Sequence, residues 1–274
     1  MGTTDLRLLM DEYLGRLRES AGRYDGTARH SGDMEHVVGD YSAFVTDARH
    51  HDSWTRLAGE SSPDFTRLVA ELRAQSARCA AIMEKYRALN LLGGGTGSAG
   101  YFDNVESGIE VEFGTFRLTS SSRVLLVGSG SFPMTPLYIA ERTGACVVGV
   151  DIDEEAVELG RQVVKKLGSG LDIRLERVPV DDLAFTREAS HVIFSSTVAV
   201  KYELLHRIHS STRDDVVVAM RHGDHLKSLF NYPMEEVDDR KWKLADRVLR
   251  PEHIFDVALY VKARLSHTRG SGIR

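Results

Sequence analysis

The sequence predicts an α/β protein in which a doubly wound parallel sheet follows a small N-terminal helical bundle. Three observations carry that expectation. Apolar residues recur at helical spacing through the first hundred positions, short apolar runs alternate with amphipathic stretches in the second half, and a glycine-rich break separates the two textures. The break runs through Gly93, Gly94, Gly95, Gly97 and Gly100, so the expected division is a helical region over 1–100 and a sheet domain over 101–274.

Leu6, Leu9, Tyr13, Leu14 and Leu17 form a first helical stripe, and Met34, Val37, Val38, Tyr41, Phe44 and Val45 form a second. A longer third stripe holds Leu68, Val69, Leu72, Cys79, Ile82, Met83 and Tyr86, with Ser62 and Pro63 as its N-cap and first helical residue. Beyond the break, Val124-Leu125-Leu126-Val127 and Cys146-Val147-Val148-Gly149-Val150 read as buried parallel strands. Further strands are expected over 171–178, 191–194 and 215–220, separated by helices over 135–142, 154–167 and 202–209. Such alternation is the pattern of a Rossmann-like sheet. The segment 242–262 supplies one or two last strands.

Composition narrows the function classes. Lys and Arg number 35 against 40 Asp and Glu, a net charge of −5 with histidine neutral, which argues against a nucleic acid partner. Two cysteines, Cys79 and Cys146, exclude a disulfide scaffold and suit a reducing compartment. The longest uncharged run, 124–140, is broken by Gly128, Gly130, Pro133 and Pro136. A membrane span needs about 20 more uniformly apolar residues. No basic segment leading into an apolar stretch opens the chain, so a soluble cytoplasmic protein with no membrane partner is expected. His30, His36, His50 and His51 share no helix face with a carboxylate or cysteine, and no metal site is expected from them. The absence of a G-x-S-x-G elbow leaves a serine nucleophile unsupported.

The loop after the first strand carries the strongest site signal. Gly128-Ser129-Gly130 lets the backbone turn sharply and meet a ligand without a Cβ in the way. A second strand ends at Asp151, twenty-one residues past Gly130, where a carboxylate accepts hydrogen bonds from ribose hydroxyls. Asp153 reads as the N-cap of the helix that opens with Glu154 and Glu155. A third strand leads to Asp181 and Asp182, either of which could meet an adenine amino group. The dinucleotide fingerprint is incomplete, because Pro133 stands where its third glycine belongs. Thr135 and Pro136 read as an N-cap and first helical residue. This loop suits a sulfonium cofactor without a phosphate, S-adenosylmethionine rather than NAD.

At this point the residues resemble a known family. Gly128-Ser129-Gly130-Ser131-Phe132-Pro133-Met134-Thr135 is similar to the G-S-G-P-L-P-L-T loop of the nicotianamine synthases, whose bacterial relatives make opine-type metallophores. Tyr101-Phe102-Asp103-Asn104 followed by Glu112-Phe113 resembles the segment preceding that loop in the family. Arg221-His222-Gly223 through Leu229-Phe230-Asn231-Tyr232-Pro233 resembles the segment after the fifth strand. The three matches keep the family's order over 101–262, whereas the N-terminal region agrees in helical character only. The resemblance implies transfer of the 3-amino-3-carboxypropyl group of S-adenosylmethionine to an amine, releasing 5′-methylthioadenosine.

Within that frame the candidate residues take roles. A helix over 101–112 would align Tyr101, Asn104, Gly108 and Glu112 on one stripe. Glu112 is then a base or amine anchor, Tyr101 orients substrate and Asn104 joins the same wall, the alternative being surface and packing residues. Gly128, Ser129, Gly130, Phe132, Pro133, Thr135, Asp151, Asp181, Asp182 and Thr197 are the cofactor-binding candidates. On the substrate side, Arg221 is either a bidentate clamp for an α-carboxylate or an ordinary ion pair. His222 replaces a residue that is small in the plant enzymes, which implies a different acceptor pocket. Tyr232 is either a cation–π partner of the sulfonium or a core residue.

Four functions compete on these residues. They are transfer to an amino acid or other small amine, cyclisation of S-adenosylmethionine to azetidine-2-carboxylate without an acceptor, methyl transfer, and cofactor sensing without turnover. Pro133 and Thr135 disfavour methyl transfer, and a homodimer is compatible with each reading.

Overall fold

The computed structural model describes residues 2–60, 62–95, 112 and 116–263. Four helices open the chain: α1 (Thr3–Gly22), α2 (Ser31–Thr46), α3 (His51–Gly59) and α4 (Pro63–Leu92). The three expected stripes lie on α1, α2 and α4. The additional helix, α3, has nine residues and two large apolar anchors, Trp54 and Leu57, too short a period to read in sequence. Ser62 holds the N-cap position of α4, but its carbonyl makes the bond, taking the Thr66 N–H at 2.9 Å, and its side chain caps nothing.

The second half alternates β1 (Arg123–Val127), α5 (Met134–Thr143), β2 (Cys146–Val150), α6 (Glu154–Leu167), β3 (Ile173–Glu176), β4 (His191–Phe194), α7 (Lys201–Ile208) and β5 (Val217–His222). Two more strands follow, β6 (Trp242–Val248) and β7 (Asp256–Lys262). The seven strands form one sheet in the order β3-β2-β1-β4-β5-β7-β6. Neighbours from β3 to β5 run parallel, whereas β7 is antiparallel to both β5 and β6. The expectation of a parallel sheet thus holds for five strands. The short connection from β6 to β7 is too small for the crossover that parallel pairing requires, so the last two strands form a hairpin. β5 also starts and ends two residues later than expected. Asp215 is held outside it by Arg213 at 2.7 Å, and pairing with β7 extends it to His222, opposite Asp256.

Helix α6 begins where Asp153 accepts the Ala156 N–H at 3.2 Å, confirming Asp153 as a cap. Helix α5 departs from expectation. It starts at Met134 with Pro133 in the cap position, which places Thr135 and Pro136 inside the first turn. Pro136 is tolerated there because the first-turn N–H groups have no intrahelical acceptor.

Two cores meet at α4. Its N-terminal half packs with α1 and α2 around Leu6, Met10, Met34, Tyr41 and Leu72, and that core also takes in Leu226, Leu229 and Phe230 from the turn after β5. Its C-terminal half instead buries Ala88 and Leu91 against Phe132, Met134, Leu137, Leu159 and Val163. Lys85 ties the same half to the start of α6, 2.7 Å from Asp153 and 2.6 Å from Glu155. The far end of α4 is therefore enclosed on nearly all faces, and this is what lets it deliver a polar side chain to the loop after β1. No helix among the described residues is long and apolar enough to cross a membrane.

Candidate active site

The strand order reverses between β1 and β4, and the crevice at the carboxyl ends of these strands is where open α/β sheets bind ligands. Beyond β1, Gly128 and Gly130 adopt φ angles of 82° and 65°, the left-handed region open to glycine. Gly130 is constrained a second way, because a Cβ there would lie 1.8 Å from Oε2 of Glu84. That glutamate reaches from α4 beneath the loop, and its carboxyl group accepts the backbone N–H groups of Ser131 and Phe132. Gly130 donates its own N–H to Oδ2 of Asp151 at 2.9 Å, while Oδ1 of Asp151 accepts from the Asp153 N–H at 3.0 Å.

Two carboxyl groups, carried by different halves of the chain, thus converge on one loop whose N–H groups form an anion-holding concavity. Burial and the neighbouring Asp151 charge push the Glu84 carboxyl up to about 8, against the pull of the two N–H groups and Arg87. The hydroxyls of Ser129 and Ser131 are buried at the same loop with no hydrogen-bond partner among the described residues. The Ser129 side chain packs toward Gly149 of β2. The segment after β4 closes this side, with Ser195 Oγ donating to the Gly128 carbonyl at 2.7 Å.

Across the crevice, Arg221 at the end of β5 donates through Nε and Nη2 to the two carboxylate oxygens of Glu112, at 2.6 and 2.7 Å. Nη2 also lies 3.3 Å from the Thr135 hydroxyl, and the guanidinium stacks 5.1 Å from the Phe255 ring centre. Only 1% of the Glu112 side chain and 11% of that of Arg221 are exposed. Removing one member of such a buried pair strands the other charge, so Glu112→Gln is expected to lower unfolding stability by about 3 kcal/mol, measured by urea denaturation.

No family model matches the chain. The L-histidine 2-aminobutanoyltransferase of Pseudomonas aeruginosa (strain UCBPP-PA14) is 31% identical over 207 residues, which span 75% of this chain and 78% of that protein. The chain belongs to this family of nicotianamine synthase-like aminobutanoyltransferases. The L-histidine 2-aminobutanoyltransferase of Yersinia pestis is 28% identical over 211 residues, spanning 72% and 78% of the two chains. The fold matches the crystal structure of MtNAS in complex with MTA and tNA at a TM-score of 0.71, 15% identity and coverage of 93% and 97%. It also matches a glutamate-to-glutamine variant of MtNAS in complex with S-adenosylmethionine at a TM-score of 0.68, 16% identity and coverage of 92% and 98%.

In this family member, the sequence-derived candidates separate into several groups. Gly128, Ser129, Gly130, Asp151 and Thr135 surround the crevice, and Thr197 sits in the segment after β4 whose neighbours Ser195 and Val198 pack on Gly128. Phe132 is a core residue, buried against Ala88 and Leu91, and only its backbone N–H faces the site. Pro133 serves as the cap of α5. Asp181 is held by Arg207 of α7, which keeps its carboxyl below the usual carboxylate range, and Asp182 is exposed beside it. The other Asp181 oxygen, Oδ1, is buried with no hydrogen-bond partner among the described residues.

His222 is 1% exposed, with Nδ1 3.2 Å from Asp224, so it lies under the strand end and is not presented to the crevice. His222 and the Met234 N–H together hold the Asp224 carboxyl down at about 2. The half-buried Tyr232 ring already has a cation over its face, the Arg73 guanidinium at 5.4 Å from the ring centre. Glu112 has both oxygens engaged by Arg221. Tyr101 and Asn104 lie outside the described residues.

Sequence reasoning missed Glu84, Ile152 and Lys201. Glu84 and Lys85 interrupt a stretch, Ala80 to Leu92, that is otherwise largely apolar around the helix, and that interruption was its signal. Ile152 is 89% exposed immediately after Asp151, an apolar side chain where a solvated one would be ordinary. Lys201 gave no signal in a polar-looking helix start. Among the described residues, no group of three or more His, Cys, Asp or Glu is placed to hold a metal.

Proposed function

We propose that the protein transfers the 3-amino-3-carboxypropyl group of S-adenosylmethionine to the amine of a free amino acid, L-histidine being the first acceptor to test, and releases 5′-methylthioadenosine. The family supplies the reaction class, a transferase that uses S-adenosylmethionine. What carries the assignment of roles is the position of Glu84, a carboxyl group raised to about 8 on the loop that takes the cosubstrate.

The residues present fit S-adenosylmethionine. Each Asp151 oxygen accepts one N–H and keeps a lone pair for a ribose hydroxyl, and the exposed Ile152 offers an apolar face to adenine. The sulfonium supplies electrophilic carbon, and the protein chooses which carbon reacts by placing the nucleophile in line with one C–S bond. Glu84 takes a proton from the acceptor ammonium, freeing its lone pair. That lone pair forms the N–C bond to the aminocarboxypropyl carbon as its bond to sulfur breaks, and the bonding electrons stay on sulfur in the neutral thioether. The buried Arg221–Glu112 pair and Tyr232 form the acceptor-side wall, on the β4–β5 half of the crevice.

Product analysis tests this. Purified protein with S-adenosylmethionine alone should release little methylthioadenosine, and adding L-histidine should raise it together with a conjugate heavier by one aminocarboxypropyl group. Methylthioadenosine with azetidine-2-carboxylate and no acceptor would assign ring closure instead. S-adenosylhomocysteine would overturn the reading altogether.

A further inference from the structure

We infer that Lys201 is a positioning residue for the acceptor half of the crevice, its ammonium tying three separate backbone segments into one wall. The inference rests on the functional reading above. Lys201 opens α7 and is 0% exposed, yet it makes no ion pair with a described carboxylate. Its Nζ lies 2.7 Å from the Arg221 carbonyl, 2.9 Å from that of Tyr232 and 3.3 Å from that of Ser196. An ammonium has three N–H donors and no acceptor, so three carbonyls satisfy it completely.

Those carbonyls belong to the end of β5, the turn after the Leu226–Phe230 plug and the segment after β4. The segments also bond to one another, Tyr232 N–H to the Ser196 carbonyl at 3.1 Å and Gly223 N–H to the Tyr232 carbonyl at 3.2 Å. Lys201 is the shared donor at the centre of that junction. Enclosing a cation this deeply is unfavourable in itself: burial pushes Lys201 down to about 7, with Glu235 and Asp224 pulling it up and Arg73 pushing it further down. An apolar side chain would fill the same space without that penalty. What it could not do is hold the Arg221 and Tyr232 backbones at fixed separation.

The geometry predicts an asymmetric effect. Its two shorter bonds go to the acceptor-side residues. The cosubstrate side is fastened independently, through Ser195 Oγ to the Gly128 carbonyl at 2.7 Å and Ser195 N–H to the Val127 carbonyl at 3.0 Å. Weakening the junction should therefore blunt acceptor recognition and spare S-adenosylmethionine binding.

Lys201→Met and Lys201→Gln in the full chain provide the test, the glutamine variant retaining two donors in case the methionine variant does not fold. Initial rates of methylthioadenosine release with L-histidine give the acceptor KM, and calorimetric titration gives the Kd for S-adenosylmethionine. The expected result is an acceptor KM raised at least tenfold with Kd changed less than threefold, the glutamine variant lying between methionine and wild type. An acceptor KM within twofold of wild type, or KM and Kd rising together, would overturn the role. Wild type that turns over without an acceptor would defeat the functional reading instead. The variants are then read on S-adenosylmethionine alone, where lower kcat at unchanged Kd supports Lys201 and unchanged kcat overturns it.

Discussion

Glu84→Gln is expected to lower acceptor-dependent turnover by at least about 100-fold, the range lost when a positioned base is removed. The amide keeps the shape of the carboxyl group and one acceptor oxygen for the loop N–H groups, but it cannot take a proton. Wild-type kcat/KM for the acceptor should rise as pH approaches about 8 and Glu84 ionises, a limb the variant lacks. Stability should move the opposite way. The folded carboxyl titrates near 8 against about 4.5 in the unfolded chain, so its contribution is complete below about 4.5 and is lost as pH rises through 8. At pH 9 the glutamine variant should be the more stable by on the order of 2 kcal/mol, allowing for the solvent this half-buried side chain still meets. Melting curves at pH 5 and pH 9 read the difference. Equal turnover, or a stability gap that does not widen with pH, would remove Glu84 from the proton transfer.

Gly130→Ala should abolish cosubstrate binding while leaving the protein folded. The new methyl carbon would fall 1.8 Å from Oε2 and 2.8 Å from Cδ of Glu84, and the residue would have to hold a φ of 65°. The clash is with the tip of a side chain that can swing away, so the cost to folding is chiefly the backbone strain, about 1–2 kcal/mol. Swinging Glu84 off the loop removes the carboxyl from the Ser131 and Phe132 N–H groups, and with it the geometry around Asp151. Titration should show a Kd for S-adenosylmethionine raised at least about 100-fold. In a Glu84→Ala background, the same Gly130→Ala change should cost less stability than in wild type, because only the strain remains. Equal costs in both backgrounds would show that the two residues do not compete for that space.

Much of the fold was legible because its strands and helices have unambiguous periods. β2 and α6 fall on the expected residues, since an unbroken apolar run and a capped amphipathic stretch leave no competing assignment. The β6–β7 hairpin was legible as strands but not in direction, which depends on pairing partners and not on local pattern. At the site, Gly128 and Gly130 were readable from the turn they allow, and Asp151 from its place directly after β2, both features of local sequence. Glu112 and Glu84 differ in what the local sequence shows of them. Glu112 fits a local stripe, but its fate is decided by Arg221, 109 residues away, and Glu84 acquires its chemistry only when α4 crosses the loop after β1. The partners of His222 and Asp181, Asp224 and Arg207, are likewise assigned by packing and not by local pattern.

Helix α4 imposes a lasting constraint on how this chain can change. One end is keyed into the bundle through Leu72 and the other carries Glu84 to the loop, twelve positions further along the same rod. Inserting or deleting a single residue between them would swing the carboxyl about 100° around the axis and shift it about 1.5 Å along it. The N-terminal helices consequently cannot be exchanged as a cassette with those of a relative unless the replacement preserves the phase of that rod.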